Sequence, residues 1–487
     1  MDLNNDPTPE PFLLPPTDLL TSSFTECREE VVLTDCKEDK SIHFSFQRWS
    51  EEPSIKLLIA RIIYDAKERN LLPPKTQKVR LENHLNVLLC NLLYAHFNGA
   101  KLIISLDKNY YSMPAPSRKY MRYNKAQIAY KSLMFALRVI EKTLGNLKKT
   151  PGVWDPNTVN PFTGKAMRGT DSNSKRTTIS FTEGVARFLV DFYCLTPGHI
   201  GTHPYRELIE IRHSKHKRDE EGGSYSGIRR YVPYEETKET YCMRKTLTQY
   251  NQLLSSTGIR LQTGEFRSEW ILPGIVRRVF NDDFKHGGRF YGGKWQTLSS
   301  EARKKLFLND KPTVELDFKA LHAHILYQGY GLELPADDPY TLPAFSNAVE
   351  AAAMRKLVKD AFLFGLNCTS FQQWVSTITK KINNDGGFKY PSYAPELDLY
   401  GLLKEIENKH HLIQNHFHRG EGLRLQYIDS QIAEYVIRKF CKLNKPILCY
   451  HDGFRVINED RDLLRDTMEN AYKSVLKVSS PPPIEVK

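Results

Sequence analysis

The sequence predicts an α+β fold with an antiparallel sheet, and three patterns predict it. Leucines between positions 85 and 93 recur at helical spacing. Residues 313–318, TVELDF, alternate as a strand does and pass directly into a helical run. The apolar stretches 445–450 and 454–458 flank a tight turn, which is typical of a β-hairpin. A chain of 487 residues is long enough for about three domains.

The charge of the chain favours a polyanionic partner. Lys and Arg total 69 against 57 acidic residues, a formal net charge of +12. Residues 1–50 hold ten acidic and four basic side chains, so the whole positive excess lies beyond residue 50.

Cysteine usage and the N-terminal composition predict a cytoplasmic protein. The eight cysteines include no Cys-x-x-Cys pair, which argues against a zinc ribbon and against a secreted disulfide framework. The first residues are acidic and proline-rich where a signal peptide would be basic and then apolar. Because the apolar run 57–64 is interrupted by Arg61, we expect no membrane span. Residues 1–55 are expected to form a flexible tail that docks a protein partner.

The segment 56–200 is predicted to be a winged-helix-like domain that binds DNA. A helix at 85–93, a strand at 102–106 and a basic helix at 129–144 come first. A basic loop then returns through a strand, and Thr182 is placed to cap a last helix. This is the order of elements in a winged helix, which places one helix in the major groove of DNA.

The basic loop of this segment carries the cations that would meet DNA phosphates. They are Lys148, Lys149, Lys165, Arg168, Lys175 and Arg176. The alternative is a small helical domain with a solvated basic loop, and the pattern leaves both open.

Two aspartates in the second half are candidate metal ligands. Asp317 lies at the end of the strand 313–318, and Asp452 is predicted to be exposed at the hairpin turn His451-Asp452-Gly453. Aspartates on neighbouring strands can hold two Mg²⁺ ions about 3.5 to 4 Å apart. The alternative for Asp452 is a purely structural turn, since Asp and Gly tolerate a positive φ.

A cationic helix lies between the two aspartates in the sequence. Residues 348–366 are alanine-rich and helical, and Arg355 and Lys359 are four residues apart on one face. That face suits a triphosphate. An acidic strand, a cationic helix and an acidic hairpin supply what phosphoryl transfer from a nucleotide requires.

These segments resemble the polymerase core of family A DNA polymerases and the related single-subunit RNA polymerases. VELDFKALHAHILY resembles motif A, RKLVKDAF resembles the start of motif B, and LCYHDGF resembles motif C. GGRFYGGKWQ, with Arg289 and Gln296, is similar to the family's segment that touches primer and template. LQYIDSQIA, with Gln426, resembles the helix before motif C. The resemblance covers residues 287–458, in family order.

The resemblance implies a right-hand fold with an antiparallel palm and helical fingers and thumb. Residues 286–487 would be the palm and fingers, and residues 201–285 a linker and thumb-like region. Asp317 and Asp452 would hold two Mg²⁺ ions, or Mn²⁺, and Lys359 would also protonate the pyrophosphate.

The resemblance also implies binding roles for further residues. The incoming nucleotide would contact Arg355, Lys359, His322, Leu363 and Asn367. Primer and template would contact Arg289, Gln296, Gln426 and His451.

The sequence departs from the family pattern at several of these positions. His322 stands where the DNA polymerases carry a ribose-excluding glutamate, and Leu363 and Asn367 stand at motif B positions where an aromatic residue is usual. Gly453 follows the motif C aspartate, so no third carboxylate is expected. The alternative for His322 is a helix residue bonded to neighbouring backbone.

The function implied by the resemblance is DNA-directed DNA synthesis from nucleoside triphosphates on a DNA primer–template. It would serve replication or repair, for instance of a mobile element, plasmid or phage. RNA polymerase or primase activity is the alternative because the ribose-excluding position is altered. An alternative of another class is a catalytically inactive DNA-binding replication initiator or regulator.

Overall fold

A computed structural model of the protein describes most of the chain. The described residues are 40–72, 78–106, 108–112, 121–145, 147–152, 177–214, 230–264, 267–271, 273–334, 337–342, 348–385, 390–391 and 393–487. Residues 41–487 form one compact unit. Across the described ranges, helices that are both long and apolar enough to cross a membrane do not occur.

The buried apolar side chains of the described residues form two clusters. The first is built from residues 44–195. The second is built from residues 209–472 together with Tyr123. Tyr123 stacks on Tyr231, with ring centroids 4.6 Å apart, and its hydroxyl donates to the Val232 carbonyl. The second cluster therefore reaches back into the N-terminal part of the chain.

The N-terminal part combines helices with short strands. Its strands are β1 (Ser41–His43), β2 (Arg48–Trp49), β3 (Lys101–Ile103), β4 (Lys148–Thr150), β5 (Thr178–Ser180) and β6 (Gly201–Thr202). Its helices are α1 (Pro53–Glu68), α2 (Lys78–Phe97), α3 (Lys108–Tyr111), α4 (Tyr130–Leu144) and α5 (Glu183–Phe192). One sheet has the order β1-β3-β5-β4, with β1 parallel to β3 and the other pairs antiparallel.

Helix α4 buries the apolar stripe that the sequence predicts. Its buried residues include Leu133, Ala136, Leu137 and Ile140, three or four positions apart. Helix α5 begins after Thr182, as expected, but the Thr182 side chain makes no capping hydrogen bond. The predicted helices are therefore present, while the predicted cap is wrong in its side-chain contact.

The C-terminal part contains the longer strands and most of the long helices. Its strands are β7 (Ile209–Arg212), β8 (Ile259–Gln262), β9 (Ser268–Trp270), β10 (Arg277–Asn281), β11 (Asp283–Tyr291), β12 (Leu306–Leu308), β13 (Lys311–Phe318), β14 (Leu448–Tyr450), β15 (Gly453–Ile457) and β16 (Ile484–Val486). Its helices are α6 (Lys238–Ser255), α7 (Ser300–Arg303), α8 (Leu321–Gly329), α9 (Ala348–Asn367), α10 (Phe371–Asn383), α11 (Leu399–Lys409), α12 (Gly422–Lys442) and α13 (Arg461–Leu476).

Two sheets organise this part. The larger has the antiparallel order β14-β15-β13-β12-β8-β9, and β16 also pairs with β13. The smaller has the order β11-β10-β7, and α12 packs along β11. This mixture of helices and sheets is compatible with the predicted α+β class. The winged-helix and palm assignments stay predictions.

A buried ion network fixes the register between β13 and β15. Glu315 pairs with Arg455 across the two strands and accepts a hydrogen bond of 2.9 Å from it. Arg303 donates to the other carboxylate oxygen at 3.0 Å. Burial acts to raise the pKa of Glu315, but the hydrogen bonds from Arg303 and Arg455 hold it below its ordinary value. The charged network lies two residues from Asp317.

Candidate functional site

Asp317 and Asp452 are brought together by the pairing of β13 with β15. Asp317 pairs with Gly453, and Asp452 is the residue just before Gly453. A Cβ atom on Gly453 would lie 3.3 Å from the Asp317 carboxylate carbon. A side chain at position 453 would therefore crowd the Asp317 carboxylate, which gives glycine a physical reason to stand there.

The hairpin turn differs from the sequence prediction in two ways. The positive φ falls on His451, at 73°, and not on Asp452 or Gly453. Two-residue turns with a positive φ at the first position favour glycine there, so His451 holds an unfavourable backbone conformation. Asp452 is half-buried, not exposed. The Asp-Gly pair is thus not the reason why the chain turns here.

His451 is enclosed by the residues around the turn. Its ring centroid lies 5.0 Å from that of Tyr291, and its Nδ1 atom is buried without a hydrogen-bond partner in the described structure. Burial lowers the pKa of His451, and the neighbouring Arg289 lowers it further, against the opposite effect of Asp452 and Asp429. The imidazole is therefore held neutral near pH 7.

Arg289 and His322 converge on a third acid, Asp429. Arg289 Nε lies 3.0 Å from Asp429 Oδ2, and His322 Nε2 lies 3.0 Å from the same oxygen. Asp429 is fully buried on α12. His322 is thus bonded to a carboxylate, and the alternative of a bond to neighbouring backbone is wrong.

Arg289 also interacts with the acid of the hairpin turn. Burial acts to lower the pKa of Arg289, but Asp429 and then Asp452 more than offset this effect. The guanidinium thus stays charged between the two acids, one of which it bonds directly. This places a fixed positive charge beside the half-buried Asp452.

Arg355 and Lys359 lie on α9 beside the ring of Tyr340. Arg355 Cζ is 5.5 Å and Lys359 Nζ is 5.8 Å from the ring centroid. Arg355 also pairs with Asp338 at 2.8 Å, whereas Lys359 is exposed. Both cations are therefore on one side of a buried tyrosine.

Tyr340 connects the cationic helix with the acidic turn. Burial raises the pKa of its hydroxyl, Arg355 opposes this effect, and Asp338 and Asp452 add to it. Asp452 is thus close enough to Tyr340 for their charges to interact. Tyr340 is therefore a side chain that the α9 cations contact and that Asp452 influences electrostatically.

The other predicted nucleotide and primer residues have different surroundings. Gln296 is fully engaged with backbone, since it accepts from the Gly292 amide and donates to the Phe290 and Cys449 carbonyls. Gln426 is half-buried on α12, one turn before Asp429.

Leu363 and Asn367 continue the α9 face that carries Arg355 and Lys359, at four-residue intervals. The Asn367 amide donates to the Leu363 carbonyl at 2.7 Å and lies against the backbone of Gly422. This end of the α9 face is therefore packed against the start of α12.

Lys487 forms an ion pair with Asp317 that no sequence pattern predicts. Strand β16 pairs antiparallel with β13, placing Val486 opposite Leu316, and the Lys487 amide donates to the Glu315 carbonyl at 3.0 Å. The Lys487 ammonium bonds Asp317 Oδ2. Burial lowers the pKa of Lys487.

One oxygen of the Asp317 carboxylate is left without a partner among the described residues. Asp317 Oδ1 is buried and has no hydrogen-bond partner in the described structure. Such an oxygen is costly to bury unless a donor or cation completes it. Within the described ranges, no group of three or more His, Cys, Asp or Glu side chains is arranged to hold a metal ion. A cation at this site would thus need further ligands from a substrate.

Sequence reasoning missed three residues of the site, namely Asp429, Tyr340 and Lys487. The sequence held a signal for one of them, because Asp429 follows Gln426 by three residues and so shares its helix face. Tyr340 and Lys487 stand in segments without a motif. Their positions depend on long-range pairing, which no local pattern records.

The predicted DNA-binding cations of the N-terminal part are described only in part. Lys148 and Lys149 lie on β4, and Lys149 pairs with Glu141 at 2.6 Å. Lys165, Arg168, Lys175 and Arg176 lie outside the described residues. Strands β4 and β5 pair antiparallel, and this segment lies between them in the sequence.

Comparisons with known proteins give a weak likeness to a solved structure. No family model and no curated protein matches the chain. Among solved structures, the chain is similar to the POL domain of Pol1 from M. smegmatis, in complex with DNA primer-template and dNTP. The identity is 12%, the match covers 51% of each chain, and the TM-score is 0.26. The chain thus spans about half of that structure's length.

Proposed function

We propose that the chain is a DNA-directed DNA polymerase of family A type, a template-directed nucleotidyltransferase that extends a primer in DNA replication or repair. The register of β13 and β15 carries the proposal, because it sets Asp317 beside the Asp452 turn. Arg355 and Lys359 supply the opposite charge. Both contact the ring of Tyr340, whose hydroxyl also interacts electrostatically with Asp452. Acids and cations gathered in this way suit a triphosphate with its metal ions.

Asp317 and Asp452 would hold two Mg²⁺ ions. The unpaired, buried Oδ1 of Asp317 fits this role, and the lack of a third such ligand among the described residues fits an ion that takes its remaining ligands from phosphates. When bound, the ions would supply Lewis-acid stabilisation of charge on the phosphates.

The residues of the chain have separate tasks in this mechanism. Arg355 and Lys359 neutralise the triphosphate, and the exposed Lys359 donates a proton to the departing pyrophosphate. Arg289, held by Asp429, orients the primer end beside Asp452, and the strained, neutral His451 shapes the turn below it. In this proposal the N-terminal β4–β5 hairpin holds the DNA through its basic segment.

Primer extension tests the proposal directly. We expect wild-type protein with Mg²⁺ to add deoxynucleotides to a DNA primer–template and Asp452→Asn to add almost none. Parallel reactions with ribonucleotides identify the preferred sugar. Extension at equal rates by the wild type and Asp452→Asn would show that Asp452 takes no part in the chemistry.

One observation favours RNA or primer synthesis as the product. His322 occupies the ribose-excluding position and is drawn toward Asp429 by a 3.0 Å contact. A histidine bonded to Asp429 would present no carboxylate to the sugar of the incoming nucleotide. Faster incorporation of ribonucleotides than of deoxynucleotides would establish this alternative.

Another observation favours a DNA-binding initiator or regulator without catalytic activity. The Lys487 ammonium bonds Oδ2 of Asp317, the carboxylate that is proposed to hold a metal ion. A protein kept in this state would bind DNA and incorporate no nucleotide. Lys487 would therefore compete with a metal ion for Asp317.

We expect Lys487→Gln to bind Mn²⁺ about fivefold more tightly than the wild type, because a half-exposed ion pair of about 1 kcal/mol no longer competes. Titration followed by electron paramagnetic resonance measures the affinity without any turnover. Lys304→Gln is the matched control, since Lys304 pairs with Glu301 at the surface at 2.9 Å. Equal Mn²⁺ affinities in all three proteins would mean that Lys487 does not obstruct the metal site.

A further inference from the structure

Three arginines converge on one buried carboxylate in the smaller sheet. Glu210, on β7, is only 2% exposed. Arg206 Nη2 lies 2.7 Å and Arg277 Nε lies 3.0 Å from Glu210 Oε1, and Arg212 Nε lies 3.2 Å from Oε2. We call these four residues the arginine cluster.

The arginine cluster carries more positive than negative charge. Burial acts to raise the pKa of Glu210, yet Arg277, Arg206 and Arg212 together lower it to about 2, so Glu210 is ionised at neutral pH. Burial, followed by repulsion from Arg206 and Arg212, lowers the pKa of Arg277 to about 10. Arg277 therefore remains charged at neutral pH, and one carboxylate lies among three arginine side chains.

The cluster also has hydrogen-bond donors that Glu210 does not satisfy. The Nε atoms of Arg206 and Arg277 are buried and form no hydrogen bond in the described structure, although Arg277 Nε is close to Glu210. Three guanidinium groups offer far more donors than one carboxylate can accept. Uncompensated charge and unpaired donors are costly to bury, and an anion would relieve both.

The backbone beside Arg277 is shaped to admit its side chain. Gly292 has a φ of 114°, which other residues rarely adopt, and a Cβ atom there would lie 2.8 Å from Arg277 Nη1. A larger residue at position 292 would therefore displace the guanidinium.

The cluster adjoins the acidic turn through one aromatic side chain. Arg277 pairs with Tyr291 across β10 and β11, and the Tyr291 ring lies against His451, next to Asp452. The Tyr291 and His451 side chains would thus separate an anion bound at Arg277 and at the half-exposed Arg212 from Asp452, where the primer end is proposed to react.

We propose that Arg206, Arg212 and Arg277 bind a backbone phosphate of the nucleic acid strand whose end lies at Asp452. The proposal deepens the function proposed above and rests on it for the identity of the anion. Arginine is suited to this task because its planar fork bonds two phosphate oxygens at once. Glu210 holds the three guanidinium groups in position, and the phosphate neutralises the positive charge that Glu210 leaves uncompensated.

Salt-dependent DNA binding tests the site. Fluorescence anisotropy with a labelled primer–template, from 50 to 300 mM salt, compares the wild type with Arg212→Gln. Loss of one phosphate contact should reduce the slope of log affinity against log salt by about 0.9 and weaken binding roughly five- to tenfold at 100 mM. Arg212→Lys should keep most of the slope, because it keeps the charge.

Two further variants guard against a purely structural effect. Arg260→Gln removes a half-buried arginine that has its own partner, Asp310, at 3.0 Å, and it should leave the slope unchanged. Arg206→Gln removes a second member of the cluster and should reproduce the effect of Arg212→Gln. Thermal unfolding of each variant shows whether its fold is intact.

The outcomes separate this site from the proposed function. Weaker, less salt-dependent binding by folded Arg212→Gln supports the site even if the wild type incorporates no nucleotide. A slope unchanged in both cluster variants would overturn it and leave a structural ion network. Weaker binding of triphosphate alone, with an unchanged duplex slope, would also overturn it, because the anion would then be the free nucleotide.

Discussion

Asp317→Asn is expected to lower the rate of nucleotide incorporation by roughly three orders of magnitude. Losing one metal-holding carboxylate removes several kcal/mol of charge stabilisation in the transition state, and about 1.4 kcal/mol corresponds to a factor of ten. Asn keeps the shape of the side chain, so the Asp317–Gly453 pairing should persist. Single-turnover primer extension measures the rate.

The matched control for Asp317→Asn is Glu459→Gln. Glu459 follows β15 and pairs with Lys311 at 2.6 Å, at the other end of the same strand pair. Like Asp317→Asn, this variant removes one carboxylate that pairs with a lysine, but it does so far from the proposed site. Its rate should match that of the wild type. If Asp317→Asn retained the wild-type rate, the acid pair could not be the catalytic centre.

The acid pair was predictable because each half has a local signature. Alternation in 313–318 predicts the strand that carries Asp317, and two apolar stretches around a short turn predict the hairpin that carries Asp452. What the local patterns do not contain is the pairing of β13 with β15, which are more than 130 residues apart in the chain. The resemblance to a polymerase core supplied that step.

The residues that sequence reasoning missed are those that act through distant contacts. Asp429 reaches Arg289 only because α12 packs on β11, the strand that carries Arg289. Lys487 reaches Asp317 through a strand that is three residues long, too short for any periodicity. The turn at His451 could not be predicted locally either. Its positive φ is unfavourable for histidine, so the contacts of the surrounding fold have to stabilise this backbone conformation.

For Gln296 the sequence motif predicts a contact with DNA. In the structure, however, its side-chain amide is already hydrogen-bonded to backbone groups of the protein. Its donors bridge the Phe290 and Cys449 carbonyls, which ties β11 to β14. A side chain of this kind positions the strand that carries Arg289. The contact of Gln296 with the template stays a prediction.

Asp429→Ala is expected to destabilise the protein by about 3 to 5 kcal/mol, the largest effect on stability that the site offers. Removing one partner of a buried ion pair leaves the other charge uncompensated, and here Arg289 also loses its bonds while His322 loses an acceptor. Urea unfolding followed by circular dichroism measures the loss.

A double variant separates the cost of the lone charge from the cost of lost packing. Asp429→Leu combined with Arg289→Met replaces both charges by apolar side chains, and such replacements are often neutral or stabilising. We expect the double variant to regain most of the stability that Asp429→Leu alone loses, while remaining unable to orient a primer. A loss below about 1 kcal/mol in Asp429→Ala would instead mean that Arg289 turns to Asp452 for its partner. In that case Arg289 would belong to the acidic turn in the resting protein, and its bond to Asp429 would not be what holds it in place.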